Sequence, residues 1–143
     1  EICACLVGSE MCIRDRNMDV LVLSLVSGLA IDTLLMVNNY RDREQDAVSG
    51  KCTLVVRYGR KFGENMYLGL GIAATLLCLW FVNTGRLTLI EFIWAPCVYL
   101  CMHALTWRKM VNIRSGKGLN RILGETSRNM LFLGILLAVA LAA

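Results

Sequence analysis

Four long apolar stretches dominate the pattern of hydrophobic and polar positions along this chain. They comprise residues 19–37, 66–82, 87–107 and 130–143. A helix needs roughly 20 residues to cross a bilayer, so the last stretch is short unless residues 119–124 extend it. Helices pair every backbone amide internally, as lipid requires, and the sequence lacks the alternating polar pattern of a membrane barrel.

The pattern predicts an all-α, polytopic membrane protein with about four transmembrane helices, at about residues 19–40, 64–83, 87–107 and 123–143. Composition agrees, because the 143 residues are 57% hydrophobic and the mean hydropathy is +0.57. The single proline, Pro96, lies within the third predicted helix, where it is expected to cause a kink. We expect the lipid bilayer as the surroundings of these helices and no nucleic acid as a partner.

Positively charged side chains are concentrated between the predicted helices, and the chain has a formal net charge of +4. Six lysines and arginines lie within residues 40–64 and six more within residues 107–128, whereas the turn at residues 83–91 has only Arg86. By the positive-inside rule, both basic segments are expected in the cytoplasm and the short turn on the other side. Basic loops also suit phosphate-bearing substrates or lipid headgroups.

Residues 5–16, CLVGSEMCIRDR, differ in character from the rest of the chain. Residues 6–15 match the translation of a transposase-type sequencing adapter in one reading frame. A secretory signal is the alternative, but the start is not basic and its apolar stretch is too short. We therefore expect residues 1–16 to be non-native and residues 17–143 to be the C-terminal part of a longer protein. Three of the seven cysteines lie within residues 1–16, and the other four lack the paired spacing of a zinc site.

A densely charged string, VNNYRDREQDAVSGKCTLVVRYG, begins at the end of the first apolar stretch. On a helix that continues this stretch, Asn38, Asp42 and Asp46 are spaced by four and lie on one face. Two carboxylates one turn apart repel each other. Arg41 and Arg43 can offset the repulsion as surface ion pairs. Alternatively, a magnesium ion can bind the carboxylates and complete its shell with water and phosphate.

Two basic residues after this helix extend the possible chemistry. Lys51 and Arg57 can hold phosphate oxygens by charge-assisted hydrogen bonds. The spacing of two aspartates alone is weak evidence, because a solvated helix of mixed charge next to a membrane has the same pattern. The whole string, rather than the spacing, distinguishes the two interpretations.

The whole string resembles the second aspartate-rich motif of the UbiA-type membrane prenyltransferases. That family typically shows Asn-Asn-x-Arg-Asp-x-x-x-Asp, then Gly-Lys-Arg-Thr-Leu, then Val-Arg-x-Gly. The matching residues are Asn38, Asn39, Arg41, Asp42, Asp46, Gly50, Lys51, Thr53, Leu54, Val56, Arg57 and Gly59. Residues 119–141 also resemble the last loop and last helix of the family, so the resemblance extends over residues 17–143.

The resemblance implies a fold of nine transmembrane helices around a central cavity that opens toward the cytoplasm, with this chain as the last four helices. It implies a protein of the bacterial inner (plasma) membrane whose active-site loops are cytoplasmic, which agrees with the charge pattern. Asp42 and Asp46 would be catalytic and would bind Mg2+. The residues that would bind the diphosphate are Asn38, Asn39, Arg43, Lys51 and Arg57.

Within the family, the string is most similar to enzymes that transfer a polyprenyl group from polyprenyl diphosphate to 1,4-dihydroxy-2-naphthoate in menaquinone biosynthesis. Two departures stand out: Cys52 replaces the usual arginine, and the family's first aspartate-rich motif, Asn-Asp-x-x-Asp, is absent. The chain is therefore expected to be one part of a prenyltransferase. It is expected to be inactive alone and to need the missing N-terminal half of the same protein as its partner. The alternatives are another acceptor, such as 4-hydroxybenzoate, and a membrane transporter fragment without enzymatic activity.

Two further polar residues lie within the predicted helices. Asp32 is an acid at membrane depth, where acids usually face a partner or water. It lies seven residues before Asn39, and it is expected either to line a cavity or to pair with another helix. His103 is expected to be a hydrogen-bonded residue near the interface, and a catalytic role is the alternative.

Overall fold

The computed structural model of the chain describes the backbone of residues 2–114, 116 and 118–142, and the side chains of residues 18–114, 116 and 118–141. The side chains of residues 1–16 lie outside the described part of the chain. The expectation that these residues are non-native therefore stays a prediction. In chain order, the helices are α1 (Ile2–Val48), α2 (Leu54–Tyr58), α3 (Arg60–Leu77), α4 (Leu79–Asn83), α5 (Leu89–Phe92), α6 (Val98–Ile113) and α7 (Leu119–Ala142). A π-helical segment (Ile93–Cys97) joins α5 to α6.

Four helical segments are long and apolar enough to cross a membrane. They are Met18–Val48, Arg60–Asn83, Leu89–Ile113 and Leu119–Leu141. No strand occurs in the residues that the structure describes. The prediction of an all-α polytopic membrane protein with about four transmembrane helices is therefore confirmed.

Two of the four membrane segments contain a local break in the α-helix. In the second segment, α3 gives way to α4 at Cys78, whose amide donates to the Ala74 carbonyl oxygen at 3.3 Å. In the third segment, Pro96 lies inside the π-helical turn. Proline lacks an amide hydrogen and cannot make the regular helical bond. The helix therefore changes type at the position where the sequence predicts a kink.

The four membrane segments form a closed ring of contacts, because α1 and α6 each pack against both α3 and α7. One apolar cluster lies toward the Asp19 end of the bundle and contains Val22, Val26, Ala30, Ala74, Cys78, Phe81, Leu87, Tyr99, Leu133 and Leu137. A second cluster lies at the motif end, where the charged string is found, and contains Met36, Val37, Tyr40, Val55, Tyr67, Met110, Leu119 and Ile122. In a bilayer, such packing stabilises mainly through van der Waals contact. The second cluster fixes the last turns of α1.

Polar side chains are also buried in the centre of the bundle. His103 is fully buried, and its Nε2 donates to the Tyr67 carbonyl oxygen at 2.9 Å. Its ring stacks on the Tyr67 ring with 4.2 Å between the centroids. Gly71 leaves room for the imidazole, because a Cβ at that position would overlap the ring. His103 is thus hydrogen-bonded, as expected, and it is buried between α3 and α6.

Candidate functional site

The charged string forms the last turns of α1 and the short α2. Because α1 continues beyond the apolar stretch without a break, one helix carries Asn38, Asn39, Asp42, Arg43 and Asp46. Gly50, with φ of +76°, ends this helix, since glycine adopts left-handed conformations at little steric cost. The Lys51 amide then donates to the Asp46 carbonyl oxygen at 2.9 Å. The two aspartates therefore lie one helical turn apart, as the sequence analysis expected.

Asp42 is held by the arginine that precedes it. Arg41 donates through Nε to Asp42 Oδ1 at 2.7 Å and through Nη2 to Oδ2 at 2.8 Å. The same guanidinium donates to Asn38 Oδ1 at 2.8 Å and to Asn120 Oδ1 at 3.1 Å. A two-pronged pair of this kind fixes the orientation of a carboxylate more strongly than a single contact does. Both Asp42 oxygens are therefore engaged, and Asn120 ties the pair to the first turn of α7.

Asp46 has a different environment. It is 8% exposed, and Lys51 Nζ lies 3.5 Å from its Oδ1. Its other carboxylate oxygen, Oδ2, is buried and has no hydrogen-bond partner among the described residues. A buried polar atom without a partner is unfavourable. This oxygen is therefore a candidate position for a cation or for a hydrogen-bond donor from outside the chain.

The basic residues after α1 lie on the outside of the motif end. Lys51 and Arg57 are exposed, and the Arg57 guanidinium lies 5.5 Å from the centroid of the Tyr58 ring. Thr53 caps the N-terminus of α2, because its Oγ1 accepts a hydrogen bond from the Val56 amide at 3.3 Å. Lys51 thus lies close to Asp46, whereas Arg57 is displaced along α2 toward an aromatic ring.

The remaining predicted diphosphate-binding residues are half-buried on α1. Arg43 donates through Nε to the Val55 carbonyl oxygen at 3.3 Å, and Val55 itself is fully buried. This contact docks α2 against the end of α1. Asn38 accepts from Arg41 and is part of the Asp42 network. Asn39 lies half-buried on the neighbouring stripe of the helix.

A cavity of about 450 Å3 opens beside Asp42. Its lining residues are Arg41, Asp42, Glu44, Gln45, Gly116 and Asn120. This volume lies in the range of about 300–1,000 Å3 that is typical of small-molecule sites. The cavity joins the Asp42 side of the motif to the connection between α6 and α7, so a ligand there would contact two separate parts of the chain.

Several contacts that position the motif come from distant segments and were missed by the sequence analysis. Asn120 lies 79 residues after Arg41, the residue that it binds. The Tyr40 hydroxyl donates to Glu64 Oε1 at 2.8 Å, and Trp107 Nε1 donates to the Glu64 carbonyl oxygen at 3.0 Å. No local sequence pattern marks such pairs, because each joins residues on different helices.

Some of the basic residues that suggested the membrane topology also form ion pairs. Arg60 Nη2 lies 2.6 Å from Glu44 Oε1, and Lys109 Nζ lies 2.8 Å from Glu125 Oε2. Arg121 Nε lies 3.3 Å from the other Glu125 oxygen. Exposed ion pairs typically contribute only about 0–1 kcal/mol, which applies to the pair with the exposed Glu44, whereas Glu125 is a buried carboxylate with two basic partners. The Arg60–Glu44 pair therefore fixes the direction of a helix end more than it stabilises the fold, whereas Lys109 and Arg121 offset the cost of burying Glu125 between α6 and α7.

The donor set at the motif is compatible with magnesium on the protein side. In the part of the chain that is described, no three His, Cys, Asp or Glu side chains gather as a metal site. Magnesium usually binds through one or two carboxylates and takes its other ligands from water and substrate phosphates. Two aspartates one turn apart meet that requirement in number: Asp42 lines the cavity, and Asp46 has a buried Oδ2 that no described residue pairs.

The fold and the site define an all-helical, polytopic membrane protein with paired aspartates where its first span ends. A curated relative, the 1,4-dihydroxy-2-naphthoate octaprenyltransferase of Haemophilus influenzae, is 35% identical over 74 residues. The match covers 50% of this chain and 24% of the relative, so it spans about a quarter of that protein's length. No protein-family profile matches the chain. No solved structure matches it either. The similarity supports the resemblance to the UbiA-type family.

Proposed function

We propose that this chain is the C-terminal part of a UbiA-type membrane prenyltransferase. The complete enzyme would transfer a polyprenyl group from polyprenyl diphosphate to 1,4-dihydroxy-2-naphthoate, a step of menaquinone biosynthesis. The observation that carries the proposal is the pair Asp42 and Asp46, one turn apart where a membrane span ends, with Asp46 Oδ2 unpaired among the described residues. The similarity to a naphthoate octaprenyltransferase supports the choice of acceptor.

Asp42 and Asp46 would hold Mg2+ together with the diphosphate of the substrate. When bound, the metal ion would stabilise the negative charge that develops on the departing diphosphate. Lys51 lies 3.5 Å from Asp46 and is exposed, so its ammonium group can turn from the aspartate to a diphosphate oxygen. Arg57, Arg43, Asn38 and Asn39 would add further donors around the same group.

The reaction would begin when the allylic carbon–oxygen bond breaks and its electron pair leaves with the diphosphate. The ring carbon that carries the carboxylate of the acceptor would then bond to the allylic cation, and the carboxylate would depart as carbon dioxide. Charged donors placed at the leaving group lower the barrier, because they stabilise charge that develops in the transition state. The apolar walls of the bundle would keep water away from the cation.

The same proposal sets the place of the protein in the cell. The resemblance to the family favours a bacterial plasma membrane, and the charge pattern of the two basic segments supports the motif end in the cytoplasm. The diphosphate and the acceptor would then reach Asp42 through the cavity of about 450 Å3 from the cytoplasmic side. The N-terminal half of the same protein would supply the first aspartate-rich motif, and the chain alone would be inactive.

The test uses the natural full-length protein in membrane vesicles with a polyprenyl diphosphate, 1,4-dihydroxy-2-naphthoate and Mg2+. Asp42→Asn and Asp46→Asn are each expected to lower turnover by about 100-fold or more, since each removes a charge at the leaving group. Asp19→Asn is the matched control, because this acid lies on the same helix at the opposite end of the span. Replacing the acceptor by 4-hydroxybenzoate tests acceptor choice. Full activity of both motif variants would refute the proposed site.

A further inference from the structure

Asp32 lies inside the membrane segment of α1 and faces away from the described bundle. At one end of this segment, Asp19 Oδ2 lies 3.2 Å from Arg86 Nε, and Asp19 Oδ1 accepts from Trp80 Nε1 at 3.0 Å. At the other end, Asn38 begins the polar motif. Asp19 and Asn38 are about 28 Å apart along an ideal helix, close to the thickness of a hydrocarbon core. Asp32 lies about 9 Å inward from Asn38 and is therefore at hydrocarbon depth.

The surroundings of Asp32 form a continuous outward face of α1. Ser24, Gly28, Asp32 and Leu35 are all exposed, and their spacing places them on one side of the helix. A Cβ at Gly28 would meet nothing within 4 Å. Across the described side chains, none donates a hydrogen bond to Asp32 or forms an ion pair with it. We use the term Asp32 face for these four residues.

A carboxylate directed at lipid is unfavourable, and acids within membrane spans almost always face protein or water. The side of the bundle that adjoins the Asp32 face also has an open groove. A cavity of about 540 Å3 lies between α1 and α7, and its lining includes Ser27 and Ile31. The outward side of α1 therefore has both a polar group and a concave apolar surface that remain uncovered.

Two occupants of this face are disfavoured by geometry and charge. A second copy of the chain, packed symmetrically through the Asp32 face, would bring two Asp32 carboxylates together, and like charges repel. The acceptor of the proposed reaction is also disfavoured as the partner of this carboxylate. Asp32 lies about 15 Å along the helix from Asp42. A two-ring acceptor that reacts beside the diphosphate is shorter than that separation.

We propose that the Asp32 face docks a transmembrane helix from the part of the full-length protein that precedes this chain, and that this helix presents a basic or amide side chain to Asp32. Ser24 and Gly28 are small and lie one turn apart, so they allow two helices to approach closely. The similar region covers only 24% of the Haemophilus influenzae relative, which leaves ample chain for such a helix. The proposal needs a longer protein but no particular reaction, so it stands apart from prenyl transfer.

The direct test is photo-crosslinking in the natural full-length protein. Photoreactive benzoylphenylalanine replaces Leu35, a large side chain of the Asp32 face that is 56% exposed, so the small residues Ser24 and Gly28 stay in place. The protein is irradiated in native membranes, and the products are mapped by proteolysis and mass spectrometry. The expected product is a crosslink within one polypeptide, to a helix N-terminal to residue 17 and within one turn of a Lys, Arg, His, Asn or Gln. Crosslinks to lipid alone, or to a second copy, would overturn the proposal.

Leu76 on α3 provides the matched position for this experiment. Its side chain is 58% exposed, much like Leu35, but its exposed neighbour Ile72 is apolar and suits lipid. Benzoylphenylalanine at Leu76 is therefore expected to react mainly with lipid. Neither position requires turnover, so this experiment can succeed even where the prenyl transfer assay fails.

Variants of Asp32 give a second measurement with opposite expected signs. If a helix donor binds the carboxylate, Asp32→Leu lowers the Tm of the full-length protein, and Asp32→Asn lowers it less, because the amide can still accept a hydrogen bond. If Asp32 instead faces lipid, Asp32→Leu removes a charge from hydrocarbon and raises the Tm. An unchanged or raised Tm for Asp32→Leu would contradict the proposal.

Discussion

At the scale of single residues, Asp42 and Asp46 show how two acids of one motif acquire different properties. Arg41 occupies both oxygens of Asp42, whereas Asp46 retains a buried oxygen without a partner in the described chain. A cation that binds Asp42 therefore competes with the guanidinium for the carboxylate, whereas Asp46 Oδ2 has no such competitor among the described residues. The two acids would thus contribute unequally to binding of a metal diphosphate.

Removal of the Arg41 side chain should make Asp42 more available to Mg2+. In the full-length enzyme, Arg41→Gln is expected to lower the Mg2+ concentration that gives half-maximal prenyl transfer by about two- to five-fold, because a half-buried, two-pronged pair in contact with solvent is worth about 0.5–1 kcal/mol. The measurement is a magnesium titration of initial rates at saturating substrate.

Arg86→Gln is the control for this titration. It also breaks an arginine–carboxylate pair, with Asp19 at 3.2 Å, but this pair lies at the opposite end of the span and leaves the hydrogen bonds of Asp42 in place. Its half-maximal Mg2+ concentration should stay unchanged. A higher or unchanged value for Arg41→Gln would show that Arg41 does not compete with the metal ion.

The positions of the two aspartates could be predicted from the sequence, but their partners could not. Helical spacing and the adjacent apolar stretch suffice to place Asp42 and Asp46 one turn apart at the end of a span. The choice between an ion pair with Arg41 and binding of a metal depends on side-chain directions. It also depends on Asn120, which is remote in the sequence.

At the scale of helices, α2 is the element that holds the basic part of the motif. It has only five residues and depends on three contacts: the Thr53 cap, the buried Val55 side chain, and the hydrogen bond from Arg43. Short helices are marginal without such tertiary support. A loss at one of these contacts should therefore loosen Lys51 and Arg57 without unfolding the bundle.

Loss of the Thr53 cap should be measurable in α2. Thr53→Ala is expected to destabilise this helix by about 0.5–2 kcal/mol, as is typical for an N-cap. Hydrogen–deuterium exchange of the α2 amides should accelerate accordingly, and the KM for polyprenyl diphosphate should rise.

Thr88→Ala is the matched control for the cap. Thr88 caps α5 with the same geometry, since its Oγ1 accepts from the Glu91 amide at 3.3 Å, but it lies away from the motif. Exchange in α2 should be unaffected by Thr88→Ala. Equal exchange in α2 for both variants would mean that the cap does not hold this helix.

The contact between α3 and α6 depends on one glycine. Gly71→Ala would force its Cβ into the buried ring of His103, and overpacking of this kind costs about 1–3 kcal/mol. The Tm of the protein in detergent is expected to fall. Gly69→Ala, two residues earlier in the same helix, meets open space and should leave the Tm unchanged or raise it.

The His103 ring can be tested as the cause of this effect. Combining Gly71→Ala with His103→Ala removes the overlap, so the double variant should lose less Tm than the sum of the two single variants. Additive losses would indicate that the glycine is needed for another reason. The burial of His103 could not be predicted from the sequence. Nothing in its local sequence shows that Gly71, on another helix, makes room for its ring.

At the scale of the whole molecule, hydropathy was sufficient for the number of membrane segments but not for their arrangement. The ring of α1, α3, α6 and α7 arises from contacts between segments that are far apart in sequence. The apolar part of α1 has hydrophobic residues on nearly every side. Its periodicity therefore could not show that Asp32 points outward or that Thr33 is buried.

The third membrane segment illustrates the same limit. Pro96 predicted the place of an irregularity, because proline cannot donate the helical hydrogen bond. The π-helical form of the turn depends on how Ala95 and Pro96 are buried in the bundle. The sequence thus predicted where the helix changes but not which form the change takes.

The central claim is that this chain supplies one part of a membrane prenyltransferase site whose other part lies upstream in the same protein. The most direct measurement is to amplify and read the natural coding sequence upstream of Asn17 in the source DNA. The account predicts about five further apolar spans and an Asn-Asp-x-x-Asp motif in a basic loop between two of them. A start codon near Met18, or a natural coding sequence for residues 1–16 with no such spans before it, would contradict the account, because one polypeptide could not then complete the site.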